Sequence, residues 1–240
     1  MSMTEVFLLK PASMCAAALA QLATMLTADE YHQWQTRGHD RRRLEYLVSR
    51  GVLRHLLAVR LNQPANRFLF CAGEHGKPAL SSGHWHFNLS HSGDWLVFAL
   101  CQHHGVGVDL ELGGRRYSCL ALARRFFTAS EYEWLSQVPI DEQERAFYRL
   151  WSRKEAVLKA HGGGISAGLD KVCFMPEKAW QLDNQLDAIS YYVQDWPFAS
   201  GWLCLASMAP SVSMYHIDCN LNSYSIDPML IHTLFEESNS

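Results

Sequence analysis

Trp85-His86-Phe87-Asn88-Leu89-Ser90-His91-Ser92-Gly93-Asp94-Trp95-Leu96-Val97-Phe98-Ala99-Leu100, followed after a short gap by Val106-Gly107-Val108-Asp109-Leu110-Glu111, decides how this chain is organised. Two short strands, Trp85 to Leu89 and Trp95 to Leu100, flank the turn formers Ser92-Gly93-Asp94, and Val106 to Leu110 supplies another strand. Alternation with a period of two puts Asp109 and Glu111 on one face of that strand and Val108 and Leu110 on the other. Two carboxylates therefore project toward one spot. A strand with a similar beginning, Trp202-Leu-Cys-Leu-Ala-Ser207, recurs late in the chain; it suggests two similar lobes, although two unrelated apolar strands match equally well.

Upstream, a strand over Val6 to Leu9 precedes helices near 13 to 26 and 28 to 36, the second opened by the helix-start pattern Thr27-Ala-Asp-Glu30. A long helix then runs from about Asp40 to Val59. Its inward stripe is Leu44, Leu47, Val48, Gly51, Val52, His55 and Leu56, and Arg41, Arg42, Arg43, Arg50 and Arg54 carry charge. A strand over Arg67 to Cys71 follows. Downstream, helical spacing predicts segments near 118 to 126, 129 to 136 and 141 to 160, then strands near 171 to 175, 189 to 194 and 202 to 207. The expected fold is α+β, with residues 1–112 as an N-terminal lobe, 113–210 as a C-terminal lobe, and 211–240 as a tail packing on or extending the second lobe.

Composition narrows the function. With 48% hydrophobic residues in 240, the chain can fill a substantial core. A formal charge of -3 gives no basic field for following nucleic acid. The seven cysteines are odd in number and form no CxxC pair, which fits thiols kept reduced in a cytoplasm. The apolar run Ala16 to Leu26 follows Glu5 and is interrupted by Gln21, so it reads as an amphipathic helix rather than a signal peptide. No run reaches the ~20 apolar residues of a membrane span.

In Trp151-Ser-Arg-Lys-Glu155-Ala-Val-Leu-Lys159, apolar residues at helical spacing set Glu155 and Lys159 one turn apart on one face. Asp109, Glu111 and Glu155 are hard oxygen donors of the kind Mg²⁺ takes beside substrate phosphates. Ser90, His91 and the turn amides can converge on a phosphate. In Glu74-His75-Gly76-Lys77-Pro78 a glycine permits close backbone approach and a lysine precedes a rigid proline. Each motif also has a plain reading: a solvated strand end, an i,i+4 surface pair, a turn, a basic helix face. The histidines show no HExxH or Cys/His spacing for zinc, and no Gly-x-Ser-x-Gly elbow is present.

Taken in order, Gly76-Lys77-Pro78, Phe87-Asn88-Leu89-Ser90-His91-Ser92, Gly107-Val108-Asp109-Leu110-Glu111 and Trp151 to Lys159 resemble the 4′-phosphopantetheinyl transferase superfamily, in its larger surfactin-synthetase-activating type. The resemblance implies two similar α+β lobes, a pseudo-dimer within one chain, with coenzyme A in the cleft between them. It implies Mg²⁺, with Mn²⁺ as the alternative, on Asp109, Glu111 and Glu155. Gly76, Lys77, Pro78 and Arg50 are expected at the adenosine end, where Arg43 or Arg54 could replace Arg50. Asn88, Ser90 and His91 are expected on the pyrophosphate, and Lys159 beside the phosphorus. The implied reaction moves phosphopantetheine from coenzyme A to a serine of an apo acyl or peptidyl carrier protein, of fatty-acid, polyketide or nonribosomal-peptide synthesis, releasing 3′,5′-ADP. Glu155 acts as base and Lys159 assists the leaving group. Arg115, Arg116, Arg124, Arg125, Phe126 and the loop His161 to Ile165 are candidates for docking the carrier. A cytoplasmic monomer without nucleic-acid or membrane partners is expected. The competing readings are a metal-dependent nucleotide-pyrophosphate hydrolase and a coenzyme A-binding scaffold with a vestigial site.

Overall fold

The computed structural model describes residues 3–73, 76–81, 84–114 and 118–231. Strand β1 (Met3–Leu9) leads into three helices, α1 (Ala16–Met25), α2 (Ala28–Gln35) and α3 (Asp40–Leu61). A small hairpin of β2 (Phe70–Ala72) and β3 (Pro78–Leu80) follows, then a longer one of β4 (Trp85–Ser92) and β5 (Trp95–Gln102). The same order then recurs. Strand β6 (Val106–Glu111) precedes α4 (Cys119–Phe126), α5 (Ala129–Gln137) and α6 (Ile140–His161), the small hairpin β7 (Val172–Met175) and β8 (Gln181–Asn184), and the longer hairpin β9 (Tyr192–Phe198) and β10 (Gly201–Ser207). Strand order repeats as well, β1-β5-β4 in one sheet and β6-β10-β9 in the other.

The fold is thus α+β as expected. Strand β6 pairs antiparallel with β10, so hydrogen bonding assigns it to the second sheet although a division after residue 112 leaves it with the first lobe. The tail joins the first sheet. Strand β11 (Ser211–Ile217) pairs in parallel with β1, and β12 (Ser223–Ile226) pairs with β11, giving the order β12-β11-β1-β5-β4. Covering the outer edge of β1 satisfies backbone groups that an open edge leaves bare. Residues 232–240 lie outside the described residues. The short strands β3 and β8 were not anticipated, because neither Pro78-Ala-Leu80 nor Gln181 to Asn184 is long or apolar enough to alternate visibly. The strand expected near 189 to 194 sits at Tyr192–Phe198 and includes Pro197, which an edge strand tolerates.

Three cores stack through the molecule. Leu47, Val48, Val52 and Leu56 of α3 join Phe7, Phe98 and Leu100 on one face of the first sheet. Val6, Leu8, Val97 and Ala99 meet Val108, Leu203 and Leu205 between the two sheets. Phe147, Leu150, Val157 and Leu158 of α6 cover the outer face of the second, against Cys204 and Ala206. Each fully buried large side chain contributes roughly 1.5–3 kcal/mol relative to exposure. Among the described residues, no helix is long and apolar enough to cross a membrane.

The two runs also echo one another in polar detail. Helix α2 opens on a capping box of Thr27 and Glu30, and α5 on one of Thr128 and Glu131. Each boxed glutamate receives a cation from the long helix that follows: Arg54 Nε donates to Glu30 Oε2 at 2.7 Å, and Lys154 Nζ meets Glu131 Oε2 at 2.6 Å. Both cations then donate to backbone carbonyls beyond that helix, Arg54 to Ala65 and Phe68, Lys154 to Leu169 and Val172. These pairs tie α3 and α6 to the helix before and the segment after each of them.

Candidate active site

Strand β6 and helix α6 bring the acidic residues together. A Cβ added at Gly107 would stand 2.0 Å from the Ala156 carbonyl oxygen and 2.3 Å from the Ala160 nitrogen, so only glycine lets the helix lie this close to the strand. The alternation read from the sequence holds: Val106, Val108 and Leu110 enter the core between the sheets, which turns Asp109 and Glu111 toward α6. Glu155 and Lys159, one turn apart, come from the facing side of the helix.

Lys159 Nζ lies 2.6 Å from Asp109 Oδ1 and also donates to Ser90 Oγ at 3.0 Å and to the Val108 carbonyl at 3.2 Å. Ser90 Oγ donates to Asp109 Oδ1 at 3.1 Å, and accepts from the Leu110 amide at 3.2 Å. The other oxygen of Asp109, Oδ2, is buried with no hydrogen-bond partner among the described residues. Glu155 is 7% exposed. Burial first, then the charges of Asp109 and Glu111, raise its carboxyl to about 7, against the opposing pull of Lys159. A carboxyl so placed exchanges a proton near neutrality.

Whether the acidic residues suit a divalent cation is decided by three observations. All three side chains offer hard oxygens, the Asp109 Oδ2 atom is buried without a hydrogen-bond partner among the described residues, and burial together with the charges of Asp109 and Glu111 raises the Glu155 carboxyl, a cost that a cation relieves. Among the described residues no three His, Cys, Asp or Glu side chains already converge as a ready ligand cage. The Lys159 ammonium stands beside Asp109 instead. The donor set therefore fits a hard dication that keeps part of its water shell and competes with Lys159 for Asp109 Oδ1.

Other expected residues fall elsewhere. Lys77 Nζ donates to the carbonyls of Val106 at 2.7 Å and Lys159 at 2.6 Å, tying the β2–β3 hairpin to both β6 and α6. Burial, with Lys159 nearby, lowers its ammonium to about 8. Lys77 and Pro78 line a cleft of about 460 Å³ together with Trp85, His86, Phe87 and His161. Gly76 adopts φ +81, a turn conformation that favours glycine, with no atom of the described residues near enough to crowd a Cβ. Asn88 Oδ1 accepts from the Val108 amide at 2.8 Å. His91 faces away from Ser90, exposed beside Arg41 and Leu44, because neighbouring residues of a strand point to opposite faces. Ser90 and His91 are therefore split between two sides of β4. Arg54 is buried and committed to Glu30, which removes it as a phosphate ligand, while Arg43 lies 5.9 Å from the ring centre of Trp34 and Arg50 as far from that of Tyr46. Glu74, His75, Arg115 and Arg116 lie outside the described residues.

Comparisons with known proteins identify the family. Residues 105–205 match the model of the 4′-phosphopantetheinyl transferase superfamily, and residues 14–103 match a model of the 4′-phosphopantetheinyl transferase N-terminal region. The 4′-phosphopantetheinyl transferase psf-1 of Bacillus pumilus is 41% identical over 124 residues, 51% of this chain and 52% of its own length. A putative 4′-phosphopantetheinyl transferase of Synechocystis is 34% identical over 178 residues, 67% of this chain and 72% of its own. The 4′-phosphopantetheinyl transferase Sfp of Bacillus subtilis is 40% identical over 141 residues, 58% of this chain and 62% of its own. The chain belongs to the 4′-phosphopantetheinyl transferase superfamily, with the larger Sfp-type members.

Proposed function

We propose that the protein transfers the 4′-phosphopantetheine arm of coenzyme A to a serine hydroxyl of an apo acyl or peptidyl carrier protein, with release of 3′,5′-ADP. The observation that carries this reading is the constellation of Asp109, Glu155, Lys159 and Ser90, joined from β4, β6 and α6, in a chain whose two halves match the family. The recurring element order supports two like lobes, divided between β5 and β6, and the matched segments 14–103 and 105–205 divide at the same place. Ser90 from one lobe and Asp109 from the other then complete one site within a single chain, which suits a monomer. Free cysteines suit a reducing cytoplasm.

In this mechanism Glu155 accepts the proton of the carrier serine, whose oxygen forms a bond to the pantetheine-side phosphorus while the bond from that phosphorus to the bridging oxygen of ADP breaks. A carboxyl near 7 suits that exchange at neutral pH. Lys159 offsets charge on the departing phosphate, and Ser90 holds both Lys159 and Asp109 in place. Asp109, Glu111 and Glu155 would hold Mg²⁺ or Mn²⁺, which when bound would supply charge neutralisation at the pyrophosphate. The cleft lined by Lys77 and Pro78, with Gly76 in the adjoining turn, receives the adenosine end of coenzyme A; on the family resemblance alone Arg50 and His91 are assigned to its phosphates, His91 from the side of β4 opposite Ser90. The test is intact-mass measurement of apo carrier proteins incubated with the enzyme, coenzyme A and Mg²⁺. A phosphopantetheine mass gain is expected on at least one carrier. No gain on any carrier, with 3′,5′-ADP released in the absence of carrier, identifies a hydrolase.

Arg124 and Arg125 are exposed at the end of α4, and Arg125 stacks 5.0 Å from the ring centre of Phe126. Together with Ile165, 52% exposed in the loop after α6, they form the basic and apolar surface assigned to the carrier. Reversing both charges, Arg124→Glu with Arg125→Glu, raises the KM for carrier by about tenfold and leaves the KM for coenzyme A within twofold, since rim charges act on encounter. Steady-state kinetics with each substrate varied in turn checks this.

A further inference from the structure

Strands β4 and β6 are each the last strand of their sheet, and they lie side by side without pairing as a ladder. Their contact is made differently. The Val108 amide donates to Asn88 Oδ1 at 2.8 Å, the Leu110 amide to Ser90 Oγ at 3.2 Å, and the Leu112 amide to Ser92 Oγ at 3.1 Å. Donor and acceptor are separated by 20 residues in each of the three bonds, so the strands run in parallel with a fixed register. Phe87 and Leu89 on the alternate positions of β4 turn into the helix-side core, which leaves Asn88, Ser90 and Ser92 all facing β6. Three side-chain oxygens do what backbone carbonyls do in an ordinary sheet.

We infer that Asn88 and Ser92 are positioning residues: with Ser90 between them, they set the register of β6 against β4 and so hold Asp109 at Ser90 and Lys159. This rests on the transferase reading of the site. Of the three, only Ser90 touches the acidic centre, through Asp109 Oδ1 and Lys159 Nζ. Asn88 and Ser92 act through the backbone of β6. A slip of one rung moves Asp109 by two residues, about 6.6 Å along the strand, beyond reach of both partners. Val108 is fully buried, so its amide has no solvent to turn to when the Asn88 oxygen is removed. The sequence offers asparagine and two serines at alternate positions for two purposes, phosphate binding and backbone capture, and the geometry points to the second for Asn88 and Ser92.

The two purposes separate on one substitution. Asp at position 88 keeps an acceptor oxygen but loses the amide donors and adds a negative charge; it preserves the rung and repels a pyrophosphate. Asn88→Ala is expected to speed hydrogen–deuterium exchange of the 106–112 backbone by about tenfold or more, with exchange in β9 unchanged. It is expected to lower kcat by about tenfold or more, with the KM for coenzyme A within about threefold, as a displaced catalytic group does. Asn88→Asp is expected to recover the exchange protection and most of kcat. Unchanged exchange in Asn88→Ala overturns the proposal. So does an Asn88→Asp enzyme with activity at or below that of Asn88→Ala and a raised KM for coenzyme A, which makes Asn88 a phosphate ligand. Ser92→Ala, on the more exposed rung, carries the same exchange test should Asn88→Ala not fold. Because exchange is read without turnover, a failure of the transferase assignment leaves the register result intact and is told apart from it.

Discussion

Glu155→Gln lowers kcat for phosphopantetheine transfer by about 10²- to 10³-fold, the loss expected when a group acting on the reacting centre is neutralised without changing its shape. Asp109→Ala falls in the same range, because it removes both the partner of Lys159 and the buried Oδ2 atom. In the parent protein at limiting Mg²⁺ the rate rises with pH through about 7, as Glu155 gains the ionised form that accepts a proton and binds the cation; saturating Mg²⁺ moves that rise to lower pH. The groups facing Glu155 are Asp109, Glu111 and Lys159, so the profile reports this cluster as a unit. Stability moves the other way. Its folded value lies above the ordinary carboxylate value of 4.5, so the folded state holds the extra proton between 4.5 and about 7. That contribution is complete below 4.5 and is lost as pH rises through about 7. Without divalent cation the midpoint of thermal unfolding therefore falls across this window, and Mg²⁺ raises it more above pH 7 than below pH 5. Glu155→Gln abolishes most of the pH dependence. A flat unfolding profile in the parent protein removes Glu155 from the cluster, independently of any rate measurement.

Much of this was legible in the sequence because the relevant signals are local. Alternation along Val106 to Glu111 was enough to aim Asp109 and Glu111 at a common face, and one helical turn was enough to align Glu155 with Lys159. The partners of these residues were another matter. That Ser90 bonds Asp109 while His91 turns away follows from the same alternation, but which face of β4 meets β6 depends on the packing of two sheet edges, and a single strand carries no information about that. The resemblance placed Lys77 at the adenosine end of coenzyme A; its engagement with the Val106 and Lys159 carbonyls depends on how the hairpin folds over α6. Arg54 had seemed exchangeable with Arg50 as a cation on one helix. The signal that separates them was present in Thr27-x-x-Glu30, since a capping-box glutamate buried under a helix needs a cation, and Thr128-x-x-Glu131 with Lys154 repeats the arrangement. This polar echo is stronger evidence of duplication than the two tryptophan-led strands.

The repeated ion pairs have unequal burial, and stability measurements should rank them. Glu131 and Lys154 are both wholly buried at the side chain, whereas Glu30 retains 13% exposure beside Arg54. Glu131→Ala strands the Lys154 ammonium in the core and takes the acceptors from the Phe174 and Thr128 amides in the same stroke. Removing one member of a buried pair typically costs about 3–5 kcal/mol, so equilibrium urea unfolding of Glu131→Ala should show a loss of that size. Glu30→Ala should lose less, because water reaches the vacated carboxylate position beside Arg54. Replacing both members together, Glu131→Leu with Lys154→Met, restores part of the stability, since no charge is left in the interior while the Phe174 and Thr128 amides still lack their acceptors. The consequence reaches the active site because Lys154 immediately precedes Glu155 on α6. A helix released from Glu131 rotates the carboxylate away from Asp109, so Glu131→Ala should also lose transfer activity under conditions where it remains folded. The double variant then separates charge from position: if it recovers stability but not kcat, the buried pair holds α6 in the rotation that catalysis needs, and if it recovers both, apolar packing fixes the helix equally well.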